Sequence, residues 1–144
     1  MGNETELSDK DYDRIEKLSE QGNNLVDEDD FEGAINKFRQ ALDIVPSPKE
    51  NFEASLWLYS SIGDMYLFTE EYEEAKNNYF NALNCPDGQE SRFVHLRLGE
   101  TLYELGELEK ALDHLLRAYI SEGPEIFAEE EEKYFEFLKS RVEL

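Results

Sequence analysis

A spaced series of small and large residues, recurring three times in register, constrains this chain more than any other feature. With Leu56 counted as repeat position 1, positions 8, 11, 17, 20, 24 and 27 hold Gly63, Tyr66, Tyr72, Ala75, Tyr79 and Ala82. Counted from Ile15, the same positions hold Gly22, Leu25, Phe31, Ala34, Phe38 and Ala41. Counted from Arg92, they hold Gly99, Leu102, Leu108, Ala111, Leu115 and Ala118. Small residues at 8, 20 and 27 let two helices approach closely, and the large residues at 11, 17 and 24 fill the space around them. Each copy therefore reads as a helix, a tight turn and a second helix. One hairpin cannot bury its own apolar stripe, so each copy needs a neighbour or a cap.

Local signals place the helix ends. Ser8 is a candidate N-cap with Asp11 three residues on, opening a first helix that runs to about Asp27. The acidic run at 27–30 lacks the Asp-x-Asp-x-Asp-Gly order of a calcium loop and reads as a turn. Phe31–Ile44 form the second helix. Ser47, Pro48 and Glu50 read as cap, first-turn proline and capping-box acid of a third helix reaching Phe68. Tyr72–Asn84 form the fourth. Asp87 and Glu90 read as the capping pair of a fifth, ending near Gly106, and the sixth runs from Leu108 to Ser121. Gly123 and Pro124 stop it. Beyond them Phe127, Tyr134, Phe135, Leu138 and Val142 recur at helical spacing, as in a capping helix or an aromatic docking surface. Glu129–Glu132 read as its solvated face and first turn. Residues 1–7 are polar, lack a period and are expected to be disordered.

The repeated series resembles the tetratricopeptide repeat, a helical hairpin of about 34 residues. The resemblance spans residues 15–125, with repeats at about 15–48, 56–89 and 92–125, then a capping helix at about 126–142. It implies an all-α fold, a tetratricopeptide-like α-α superhelix of about seven antiparallel helices, in one domain over 8–144. The chain departs from the family at position 4, where the usual tryptophan is replaced by Leu18, Tyr59 and His95. The repeats are also unevenly spaced, with Ala34, Ala75 and Ala111 separated by 41 and then 36 residues.

In this family the first helices of successive hairpins line a concave groove. Carried over, the resemblance assigns it Glu16, Ser19, Asn23, Val26 and Asp27, then Trp57, Ser60, Asp64, Leu67 and Phe68, then Phe93, Leu96, Glu100, Tyr103 and Glu104. The candidate partner-binding residues are Glu16, Asn23, Asp27, Trp57, Asp64, Phe68, Phe93, Glu100, Tyr103 and Glu104. Relatives that clamp the acidic tails of chaperones place lysines and asparagines here. Only Asn23 and the neighbouring Arg97 match, and the lysines are missing. Such a groove suits a basic, partly apolar segment, with carboxylates to pair Lys or Arg and rings for cation–π contact. Ordinary packing is the alternative for Trp57, Phe68 and Phe93.

Charge points the same way. Thirty-five acids against fourteen bases leave a net charge of −21, which disfavours nucleic acid and anionic membranes and favours a basic protein. Plain solubility is the alternative reading of that charge. Hydrophobic residues make up 40%, too many for a disordered acidic chain. The single cysteine, Cys85, fits a reducing compartment and reads as a small packing residue. No apolar window approaches the ~20 residues of a membrane span, and the acidic start lacks a signal-peptide layout. In MGNETE, Glu6 stands where a myristoylation site has Ser or Thr. A cytoplasmic location is expected.

No catalytic, cofactor-binding or metal constellation can be assembled from the sequence. Of the two histidines, His95 occupies a packing position and His114 reads as exposed. The expected function is therefore non-enzymatic protein binding of a basic protein or peptide. Its most concrete form is a dedicated inhibitor of a basic toxin enzyme, similar in size and character to immunity proteins built from such repeats. The alternative is a structural adaptor or assembly co-chaperone.

Overall fold

The computed structural model describes residues 6–144, and all regular structure among them is helical. Seven α-helices follow in order: α1 (Asp9–Asp27), α2 (Phe31–Ile44), α3 (Glu53–Phe68), α4 (Tyr72–Leu83), α5 (Arg92–Glu104), α6 (Leu108–Glu122) and α7 (Glu132–Arg141). Helices α1–α2, α3–α4 and α5–α6 pack as hairpins, α2 also packs on α3, and α7 packs on α6. From sequence, residues 8–144 read as one domain; the packing groups the chain into two compact units, divided between Gln89 and Glu90. The first contains α1–α4 and the second α5–α7. Of the segment expected to be disordered, residues 1–5 lie outside the described residues, and Leu7 packs against the core of the first unit.

The repeated series has a direct structural meaning. At each position 8, the missing Cβ is what admits the large residue at position 24. A Cβ built on Gly22 would lie 2.6 Å from Phe38, one on Gly63 2.8 Å from Tyr79, and one on Gly99 2.7 Å from Leu115. The alanines at positions 20 and 27 (Ala34, Ala41, Ala75, Ala82, Ala111 and Ala118) are all fully buried. The hairpin turns repeat as well. Asp30 donates its N–H to the Leu25 carbonyl at 2.9 Å, Glu71 to Tyr66 at 2.8 Å, and Glu107 to Leu102 at 2.9 Å. In each turn the preceding residue, Asp29, Glu70 or Gly106, is left-handed. These are helix-terminating bonds of the Schellman type.

Two helix starts differ from the sequence expectation. α3 begins at Glu53, because Lys49–Asn51 form a 3-10 turn and Phe52 stays extended with its ring buried in the core. Lys49 closes the end of α2, its Nζ donating to the carbonyls of Leu42 (2.9 Å) and Val45 (2.6 Å). The seven extra residues of this spacing thus fold as an anchored connection. At α5, Asp87 is left-handed (φ 63) and so lacks the extended backbone of an N-cap; Ser91 caps instead, its Oγ accepting from the Val94 N–H at 3.4 Å.

The last segment also starts later than its spacing suggests. Left-handed Gly123 ends α6, residues 124–127 form a 3-10 turn, and α7 opens at Glu132. The intervening chain is pinned by Phe127, buried and stacked on Phe135 at 4.8 Å, and by an ion pair from Glu130 to Arg97 at 3.1 Å. Glu130 is therefore drawn inward, unlike a solvated face.

Candidate binding site

In the first unit, the starts of α1 and α3 line an open pocket of about 540 Å³. Helical spacing builds its walls: Tyr12 and Glu16 are one turn apart on α1, and Glu53 and Trp57 one turn apart on α3. Leu7, Ile15, Phe52 and Ala54 supply the apolar lining. Both rings remain open to solvent, Tyr12 at 56% and Trp57 at 44% exposure. Four carboxylates, Glu6, Asp9, Glu16 and Glu53, complete the lining, and among the described residues no lysine or arginine belongs to it.

Of the candidate residues, the pocket brings together Glu16 and Trp57. Asn23 and Asp27 are exposed further along α1. Phe68, half exposed at the end of α3, lies 6.1 Å from the Phe31 ring. Asp64 is engaged inside its own hairpin, accepting from the Tyr79 hydroxyl at 2.5 Å. Tyr12, Asp9 and Glu53 were not singled out from sequence, since Tyr12 and Asp9 precede the first repeat and Glu53 sits in the connection before the second. The one-turn spacing of Tyr12 and Glu16 was the available signal.

The second unit treats its share of the candidates differently. Phe93 is exposed at 57%, with the Arg92 guanidinium 5.0 Å from its centroid. Glu100 is buried at 4% exposure, 4.0 Å from Arg97. Tyr103 lies under α7, edge-on to Tyr134 at 5.5 Å and Phe137 at 5.1 Å. Glu104 accepts from the Tyr134 hydroxyl at 3.1 Å and is ion-paired with Lys133. The Lys133 ammonium sits 5.3 Å from the Tyr134 centroid and 6.0 Å from that of Tyr103. Its hydrogen bond to Glu104 raises the Lys133 pKa, while burial, then the charges of Glu104 and Glu100, push the Tyr134 phenol up. The protein's own α7 thus occupies the part of α5 that carries Tyr103 and Glu104.

His114 is not exposed as its position suggested. It is half-buried, its ring stacked on buried His95 with centroids 5.2 Å apart and the two Nδ1 atoms at 2.9 Å. Burial, reinforced by His95, pushes the His114 imidazole down to about 4. Burial, then the charge of Glu50, pushes the Cys85 thiol up to about 11, which keeps it protonated and unreactive at neutral pH. Among the described residues, no group of three or more His, Cys, Asp or Glu could hold a metal ion, and no helix is long and apolar enough to cross a membrane.

The fold is that of the tetratricopeptide domains: paired antiparallel helices, glycine against a large residue within each pair, and a terminal helix over the last. Two solved structures show the likeness. One is the first tetratricopeptide domain of Spaghetti (RPAP3) bound to the HSP90 peptide SRMEEVD. It is 17% identical with a TM-score of 0.70, and the match covers 89% of this chain and 90% of that one. The other is the second such domain of human RPAP3 in complex with the HSP70 peptide SGPTIEEVD, 18% identical with a TM-score of 0.71, covering 90% and 96%. No family model matches the chain, and no curated protein sequence matches it.

Proposed function

We propose that this chain is a non-enzymatic protein-binding module that captures a basic partner through the ring-and-carboxylate face of its first unit. The observation that carries the reading is the pocket that places exposed Tyr12 and Trp57 among four carboxylates, with no base among the described residues of the lining. Exposed rings offer apolar burial at little entropic cost, and carboxylates around them select for positive charge. The neighbouring RPAP3 domains hold peptides ending in EEVD. A net charge of −21 opposes an acidic tail of that kind here, so the mode of use is similar and the sign of the partner reversed.

The sharper form of this reading is a dedicated inhibitor of the immunity type, in which the carboxylates cover the basic active site of a toxin enzyme. A second reading, an adaptor or assembly co-chaperone, draws on the short peptides held by the structural neighbours. Affinity capture from source-cell lysate, at low and moderate salt, tests both. Wild type is compared with a Glu16→Lys/Trp57→Ala variant, and partners are identified by mass spectrometry. One basic protein, recovered in stoichiometric amount and lost with the variant, is the expected result. Several structural proteins would favour the adaptor. Capture unchanged by the variant would move the site away from this face.

A further inference from the structure

We propose that the pocket between the starts of α1 and α3 is a lysine-receiving subsite, taking a partner's lysine that is flanked by apolar residues. This rests on the basic-partner reading above and names the group that the pocket selects. The argument begins with a lysine the chain already seats. Lys133 lies within cation–π range of two tyrosine rings, 5.3 and 6.0 Å from their centroids, while its ammonium pairs with Glu104 and stands 3.5 Å from Glu131. Of these two rings Tyr134 is buried, and buried Phe137 packs edge-on to the other, Tyr103.

The pocket in the first unit offers the same kinds of group: two rings, Tyr12 and Trp57, and the carboxylates of Glu6, Asp9, Glu16 and Glu53. Its volume of about 540 Å³ falls within the range of about 300–1,000 Å³ usual for ligand pockets. Charge decides the class of occupant. An acidic segment would add negative charge beside these carboxylates, whereas an ammonium pairs with them and gains cation–π attraction from the rings. Buried Ile15 and Phe52 form a floor for the apolar neighbours of that lysine.

The chain's single tryptophan is Trp57, so its fluorescence reports on this pocket alone. The full chain is titrated with the blocked peptide acetyl-Leu-Lys-Leu-Lys-Leu-amide and with the same peptide carrying Nε-acetyl-lysine, while amide shifts are followed by NMR. The expected result is a saturable Trp57 response to the first peptide, weakened about tenfold or more both by lysine acetylation and in a Glu16→Gln/Glu53→Gln variant. Both substituted side chains are on the surface, and an unchanged circular dichroism spectrum checks that the variant is folded. Equal binding of the acetylated peptide would overturn the subsite, leaving only an apolar pocket. Shifts confined to residues remote from Tyr12 and Trp57 would also overturn it, and with it the assignment of the partner to this face, yet leave a basic partner as such standing. Absence of any shift with the lysine peptide would overturn the subsite, and the lysate capture above then decides the basic-partner reading on its own.

Discussion

At the residue scale, the strongest constraint is the contact between positions 8 and 24 of each repeat. Gly63 is the clearest test, because Tyr79 is 1% exposed and its hydroxyl is held by Asp64, so the ring has little freedom to retreat. Alanine gains about 1 kcal/mol of helix propensity over glycine. Overpacking costs about 1–3 kcal/mol and should win. Thermal unfolding of Gly63→Ala is therefore expected at lower temperature than wild type; an unchanged or raised midpoint would mean that the ring can move. The histidine pair gives a second test. Burial and His95 hold the His114 imidazole at about 4, against an ordinary 6.5, with Asp113 opposing and Arg117 adding to the shift. Between those values the unfolded chain binds a proton that the folded chain refuses, so this group makes stability fall as pH drops through that window. Wild type should lose more stability than His114→Gln between about pH 7 and about pH 5. Parallel melting curves for the two proteins would refute the assignment.

At the scale of elements, the first two helices were legible from sequence because their signals are local. Ser8 caps α1 as its side chain suggests, accepting from Asp11, and α2 spans Phe31–Ile44 as its periodicity indicates. The starts of α3, α5 and α7 were not legible. In each case a residue with a good local signal was overruled by a partner distant in sequence or by the backbone path. Ser47, Pro48 and Glu50 carry cap chemistry, but burying Phe52 and bonding Lys49 to the end of α2 displaces the helix start to Glu53. Lys49→Met keeps the apolar stem and removes the charged donor, which should cost about 1–2 kcal/mol. The melting temperature should then fall by several degrees, at roughly 2–4 °C per kcal/mol for a chain of this size. A Lys49→Met protein as stable as wild type would show that the two carbonyls are equally well served by water. The seventh helix was expected from its aromatic spacing. Its role over Tyr103 and Glu104 depends on Lys133 and Tyr134 meeting α5, a pairing thirty residues apart for Tyr134.

For the molecule as a whole, the excess of carboxylates makes any basic partner sensitive to ionic strength. Raising salt from about 0.01 to about 0.1 M shortens the Debye length from about 30 to about 10 Å. Affinity for a basic probe should weaken about tenfold or more over that range, mainly through slower association. Salt-independent binding would place the affinity in apolar burial and make the acidity a matter of solubility. The sequence by itself determined the repeat register, the helical class and the sign of the charge. The first two are carried by residue identity at a fixed spacing, glycine against a large residue and alanine at buried crossings, and the third by a surplus of acids. Only the tertiary structure decided which inner-helix positions are available. Glu16 and Trp57 share an open pocket with Tyr12, whereas Glu100 is buried and α7 lies over Tyr103 and Glu104. The physical reason is that exposure belongs to the packing of elements on one another. Position within a repeat says which way a side chain leaves its helix, and the neighbouring element decides whether solvent or protein is waiting there.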